Sequence, residues 1–147
     1  MIIPDVNLLL YAIDGSSPQH GRARQWLQDQ LSGVETVAFS WTVLLGFLRL
    51  ATNPRVFAQP LDVSGAAQVV SGWLDQPNVT ITNPTDRHLS IFRDLLDEIG
   101  TAGNLTMDAH LAALAIEHGA AIHSADSDFA RFAAVTWVNP LASGGET

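Results

Sequence analysis

The 147-residue chain contains no cysteine and no lysine. The first absence excludes disulfides, thiol catalysis and zinc–thiolate sites, and it suits a reducing compartment. The second leaves seven arginines as the only fixed cations against fifteen acidic residues, a net charge of −8. So acidic a chain has no broad, non-specific grip on nucleic acid, because that grip depends on many phosphate-neutralising bases. Any phosphate-bearing ligand must be held by local arginines or by a metal ion, whereas a basic peptide or protein segment would be attracted. Long apolar runs are missing too. VLLGFL (residues 43–48) is far short of the ~20 residues a membrane span needs, and MIIPD meets a charge at once, without the basic start and cleavage site of a signal peptide. A cytoplasmic protein with no membrane association is the expectation.

What is present is an alternation. MIIP reads as a short buried strand stopped by Pro4 and Asp5, and VNLLLYAI follows with helical spacing until DGSSP turns the chain. A helix is expected from Pro18 to Leu31, with Ala23, Trp26, Leu27 and Leu31 inward. VETVAF is a second strand, and Ser40 is placed to cap WTVLLGFLRLAT, a helix apolar nearly all round and so buried or at an interface. A further helix spans Asp62 to Asp75, and a strand runs from Val79 to Thr82. The helix expected from Thr85 to Ile99 has Leu89, Phe92, Leu95, Leu96 and Ile99 inward. MDAHLAALAIEHG is a helix stopped at Gly119, AAIHSA a strand, DSDFARF a turn or short helix, and VTWV the last strand. Parallel strands need crossover helices, so the pattern predicts a three-layer α/β/α sandwich with a mainly parallel central sheet. With 47% apolar residues, residues 1–141 read as one domain with its own core and 142–147 (ASGGET) as a frayed tail.

Ligands in such sheets sit beyond the carboxyl ends of the strands. Asp5 directly follows the first strand, and Asp126 and Asp128 follow the AAIHSA strand in the same way. Asp108 stands at the start of the alanine-rich helix. Each alone is better read as a helix cap, worth ~1 kcal/mol, or as a solvated turn residue. Together they weaken that reading, since like charges held close repel and raise one another's pKa unless a cation lies between them. All-oxygen carboxylate clusters suit Mg²⁺ or Mn²⁺. Such ions polarise phosphoryl oxygens and activate water, which points to phosphodiester hydrolysis.

The stretches PDVNLLLYA, SWTVLLGFLRLATNPRVF and GNLTMDAHLAALAIEHGAAIHSADSDFARF, in that order, resemble a PIN domain. They are most similar to the VapC-type toxins of bacterial toxin–antitoxin pairs. The resemblance covers essentially the whole chain and implies a Mg²⁺- or Mn²⁺-dependent endoribonuclease that leaves a 5′-phosphate and a 3′-hydroxyl. It also implies a homodimer and a VapB-type antitoxin as partner. By the same resemblance Asp5, Asp108 and Asp126 are catalytic metal ligands and Asp128 is a neighbour that assists. Asn7, Ser40, Asn104 and Ser124 match polar positions bordering the site, with Asn7 and Ser124 orienting carboxylates or waters.

One position departs from the pattern. The second acid, usually a glutamate six residues after Ser40, falls on Gly46, and SWTVLLGFLRL has no carboxylate at all. Glycine inside a helix costs ~1 kcal/mol against alanine, so it is not a free replacement. Close helix packing and an opening in the site are both open explanations, and Glu35 is placed too far upstream to substitute. Arg49, one helical turn on, is read first as half of a buried ion pair, with a phosphate contact as the alternative. Arg131 is read as an exposed ion pair. The five histidines show no ligand spacing, and the four tryptophans read as core or interface anchors. Two rivals to the nuclease reading stay open: a non-catalytic or weakly catalytic binder on the same fold, and a phosphatase-like hydrolase. The phosphatase would require an aspartate where Asn7 stands.

Overall fold

Five short apolar segments form the strands β1 (Ile2–Pro4), β2 (Val37–Ser40), β3 (Val79–Thr82), β4 (Ala121–His123) and β5 (Trp137–Val138). The computed structural model describes residues 1–142; apart from Ala142, the tail expected at 142–147 lies outside the described residues. All pairings in the sheet are parallel, in the order β3-β2-β1-β4-β5. Every residue of β1 and β2 is buried. Successive strand side chains point to opposite faces, so burial of all of them means both faces are covered by helix, as a parallel sheet requires. The expected α/β sandwich is therefore the observed one.

The covering helices are α1 (Val6–Ile13), α2 (His20–Leu31), α3 (Trp41–Ala51), α4 (Val63–Leu74), α5 (His88–Ile99) and α6 (Thr106–His118). Asp5, Ser40 and Asp62 cap α1, α3 and α4 by accepting backbone N–H bonds, each satisfying a donor that the helix itself leaves free. Gly119 ends α6 at φ 64°, a left-handed conformation that glycine adopts without strain. α5 begins three residues later than the expected Thr85. The Thr85 N–H and hydroxyl both bond Glu117 of α6 instead, so that residue ties a loop to α6.

Side chains from both layers lock the sheet. Trp73 of α4 stacks on Phe39 of β2 with ring centroids 5.7 Å apart and meets Phe47 of α3 edge-on at 4.7 Å. Trp26 of α2 donates its indole N–H to His123 Nδ1 of β4 at 3.1 Å. Burial holds that imidazole below its ordinary pKa, so it stays neutral and keeps the lone pair the indole needs. α5 corrects one expectation: Leu95 is buried and Phe92, Leu96 and Ile99 pack against the core as expected, but Leu89 is 74% exposed. Leu89 lies at the overhanging start of the helix, on a groove with Met107 and His110, where the strands are out of reach.

β1 has β2 on one side and β4 on the other, and the chain winds away from it in both directions. The carboxyl ends of β1 and β4 thus flank the point where strand order reverses, the crevice such sheets use for ligands. Because Phe47 is fully buried between sheet and Trp73, Phe47→Ala should cost about 3–5 kcal/mol in urea unfolding. The fully exposed Val34→Thr should move stability by less than ~0.5 kcal/mol.

Candidate metal centre

The crevice is assembled around Asp5, which is buried at the end of β1. Its Oδ1 accepts the Val6 N–H at 2.8 Å, and its Oδ2 accepts the Ser124 hydroxyl at 2.7 Å and the Asn7 side-chain amide at 3.3 Å. Ser124 Oγ also accepts from Asn7 Nδ2 at 3.2 Å and from the Asp126 N–H at 3.0 Å. One hydroxyl hydrogen and two lone pairs are thereby all used. Asn7 Oδ1 accepts the Ala125 N–H at 3.2 Å, which fixes the orientation of the amide. Asp5 both caps α1 and lines the crevice, so capping does not take it out of the cavity. Burial pushes its carboxyl above the ordinary 3.8; the Ser124 and Val6 bonds pull the other way, and the charge of Asp126 adds to the rise.

Asp126 and Asp128 enter from the 3₁₀ helix after β4, spanning Ser127–Arg131, where Asp126 caps the Asp128 N–H at 2.9 Å. Asp108 enters from the first turn of α6. It is not that helix's cap, a position held by Leu105. Asp108, Asp126 and Asp128 each bring one oxygen within 4.8 Å of the others. Burial and then the charges of Asp126, Asp5 and Asp128 push Asp108 up to about 7. A carboxylate set this strained, with only oxygen donors, matches what a hard divalent cation demands and is relieved by one. Asp5, Asp108 and Asp126 line a cavity of about 270 Å³ with Asn7, Met107 and, from α3, Thr42, Gly46 and Arg49.

Gly46 therefore faces the carboxylates across open space. A Cβ placed on it would meet only Val6 Cγ2, at an ordinary 3.6 Å, so close helix packing does not require the glycine. Arg49 corrects the ion-pair reading: it is exposed, and the ion pairs among the described residues are Met1–Glu35, His88–Glu117 and Arg131–Asp128. Glu35 bonds the N-terminus at the opposite end of β1, well away from the cavity. Arg131 pairs with Asp128 at 3.7 Å as an exposed pair. Of the polar residues expected to border the site, Asn7 and Ser124 join Asp5. Ser40 is buried but spends its hydroxyl on Thr42, and the exposed Asn104, in a 3₁₀ turn before α6, bonds none of the carboxylates.

A polar chain that sequence spacing does not reveal lies beside the cavity. His88 Nδ1 bonds the Glu117 carboxylate, and His88 Nε2 meets His110 Nδ1 at 2.9 Å. Burial and the neighbouring His88 hold His110 below its ordinary pKa. On Glu117, burial opposes ionisation, yet the Thr85 and His88 bonds outweigh it and keep the carboxyl low. The partners are 22 and 29 residues apart, so no local pattern connects them. His88 and His110 line an apolar groove with Leu89, Phe92, Thr42 and Met107, and the last two residues are shared with the acidic cavity.

The family model for the PIN domain matches residues 2–135. The chain is 51% identical over 141 residues to Ribonuclease VapC33 of Mycobacterium tuberculosis, covering 96% of this chain and 99% of that protein. It is 47% identical over 142 residues to Ribonuclease VapC37 of the same organism, at 97% and 99% coverage. Among solved structures it is similar to a chain of VapBC2 from Rickettsia felis, bound to a DNA fragment from its promoter. The TM-score is 0.69 at 17% identity, over 95% of this chain and 98% of that one; at that identity the likeness speaks for the fold.

The strained Asp108 has a stability consequence with a definite sign. Its folded pKa of about 7 lies above the ordinary 3.8, so the folded state binds the proton more tightly than the unfolded one. The associated stability is complete below 3.8 and is lost progressively as pH climbs to about 7. Metal-free protein should therefore melt lower at pH 7 than at pH 5 in calorimetry. Asp108→Asn should flatten that slope, and adding Mn²⁺ at pH 7 should raise the wild-type melting temperature.

Proposed function

The chain belongs to the PIN domain family, in its VapC branch, and on that footing we propose that it is a metal-dependent endoribonuclease, the toxin of a VapBC-type pair. The observation that carries the reading is the meeting of Asp5, Asp108 and Asp126 in one cavity at the reversal of strand order, with Asp128 within reach of the latter two. In this reading Asp5, Asp108 and Asp126 hold a Mg²⁺ or Mn²⁺ ion and Asp128 assists. When bound, the ion supplies a Lewis acid for the phosphoryl oxygen and an activated water, so that the phosphodiester is hydrolysed to a 5′-phosphate and a 3′-hydroxyl. Ser124 and Asn7 keep Asp5 aimed, because each donates to its Oδ2, and the Ser124 bond partly offsets the rise that burial causes. With its carboxyl pushed up to about 7, Asp108 would release a proton on binding the ion near neutral pH.

The proposed partners are an RNA substrate, a second copy of the chain in a homodimer, and a VapB-type antitoxin. Trp41, Leu45, Leu89 and Met107 are large apolar side chains left exposed on α3, α5 and α6 near the cavity, surface that a protein partner would cover. A net charge of −8 favours a basic segment in such a partner. Among the described residues no helix is long and apolar enough to cross a membrane. We place the single nuclease domain at residues 1–141, acting in the cytoplasm.

The α3 wall favours a second reading, a weakly catalytic or purely binding member of the fold, since Gly46 leaves it without an acid. One assay separates the two. Given a pool of structured RNAs, the wild type should cut with Mn²⁺ or Mg²⁺ and stop in EDTA, and Asp5→Asn or Asp126→Asn should lose at least about a hundredfold. Metal-dependent cutting that survives Asp5→Asn would sink the site assignment. Failure of the wild type with either metal, with cutting restored by Gly46→Glu, would establish the second reading. Gly46→Glu should also tighten Mn²⁺ in calorimetric titration, whereas an unchanged isotherm would count against position 46 facing the ion.

A further inference from the structure

The α3 wall of the cavity carries a cation that the metal reading leaves unused. Arg49 lies one turn after Gly46 on α3, and both line the space into which Asp5, Asp108 and Asp126 project. Its guanidinium is exposed and forms no ion pair among the described residues. Other arginines near carbonyl or carboxylate groups are engaged: Arg22 donates to the Leu141 carbonyl, Arg87 to the Glu117 carbonyl, and Arg131 pairs with Asp128. Arg49 is the only cationic side chain lining the cavity among the described residues. Gly46, having no side chain, adds nothing to fill the cavity that it lines together with Arg49 and the carboxylates.

We propose that Arg49 is a substrate-binding residue that holds a backbone phosphate of the RNA at this cavity, independently of the metal. The proposal rests on the nuclease reading above and goes beyond it. A carboxylate-lined cavity repels a phosphodiester, and without an acid on α3 that wall has nothing with which to hold a cation of its own. A guanidinium supplies the positive charge directly. Its planar fork of N–H donors matches two phosphate oxygens at once, which a single ammonium cannot do. With an ion held by the carboxylates and Arg49 on the α3 wall, the phosphate would be held by two cations at once.

The test separates phosphate contact from structural support. A fluorescein-labelled single-stranded oligoribonucleotide of mixed sequence is titrated with wild type, Arg49→Ala, Arg49→Lys and Arg24→Ala in EDTA over a range of salt. Arg24 is exposed on α2 and outside the cavity, so its variant removes the same charge elsewhere. Arg49→Ala should bind about tenfold more weakly, with the slope of log K against log salt shallower by about 0.7, the mark of one lost single-strand phosphate contact. Arg49→Lys should keep the slope and recover part of the affinity. With Mn²⁺ present, Arg49→Ala should raise KM at unchanged Mn²⁺ affinity and melting temperature. If Arg49→Ala matches Arg24→Ala in slope while the wild type cuts RNA, the role of Arg49 is overturned and the nuclease reading stands. A wild type that cuts with Mn²⁺ yet takes up no RNA in EDTA likewise overturns metal-independent phosphate binding. If the wild type neither binds nor cuts RNA, the nuclease reading falls and takes this inference with it.

Discussion

The hydroxyl of Ser124 holds the site together. It donates to Asp5 at 2.7 Å and accepts from Asn7 and from the Asp126 N–H. In doing so it joins the ends of two neighbouring parallel strands that are 119 residues apart in the chain. Ser124 is fully buried, and a buried hydroxyl with every position filled is costly to disturb, because each partner would be left unpaired out of water. The bond to Asp5 therefore sets where the first carboxylate points, and the bond from Asp126 sets where the loop carrying Asp126 and Asp128 leaves the sheet. The parallel register of Pro4 with His123 brings these groups level, so the sheet and the polar network position the crevice jointly.

That arrangement stores electrostatic conflict. Burial and three like charges press on Asp108, and burial with Asp126 presses on Asp5 despite its hydrogen bonds. A chain selected for stability alone has no use for such a cluster; pairing any of these acids with a nearby arginine would relieve it. Arg131 does pair with Asp128, but on the exposed side and at 3.7 Å, where solvent screening leaves little energy in the contact. Arg49 lines the same cavity without pairing. The conflict is thus kept, and a divalent ion held there would relieve it by replacing mutual repulsion with shared attraction.

Much of the fold could be read from local pattern because parallel strands buried on both faces appear as continuous apolar runs, and their crossover helices carry stripes and caps. Ser40, Asp62 and Gly119 mark element ends by chemistry that acts within four residues. The reading failed where distant partners decide. Thr85 does not start α5 because Glu117, 32 residues on, takes its N–H and hydroxyl. Leu89 sits on the apolar stripe of α5, but that end of the helix overhangs a groove. His88, Glu117 and His110 form one hydrogen-bonded chain with no sequence spacing to betray it. That the acids gather in one place was expected from the strand-end rule together with family resemblance, since each alone passes for a cap. Ser40 and Asn104 were placed by resemblance alone, and neither bonds an acid here: Ser40 spends its hydroxyl on Thr42.

Charge ties these features together. At physiological salt the field of the whole acidic chain is screened within about 8 Å, so inside a narrow cavity the nearest groups dominate. The nearest groups on the β1, β4 and α6 sides are carboxylates, and on the α3 side they are Gly46 and Arg49. An acid at position 46 would place a negative charge one turn from Arg49 on the same wall and offset its attraction for a phosphate. With glycine there the cavity is polarised, negative where a cation belongs and positive on the facing wall. A phosphodiester can then enter in one orientation, its anionic oxygens toward Arg49 and the ion together, without a surface rich in bases to draw it in. The absence of lysine and the missing acid on α3 are in this sense consistent: binding of a polyanion by this chain has to be local, and the local means are one arginine and whatever cation the carboxylates hold.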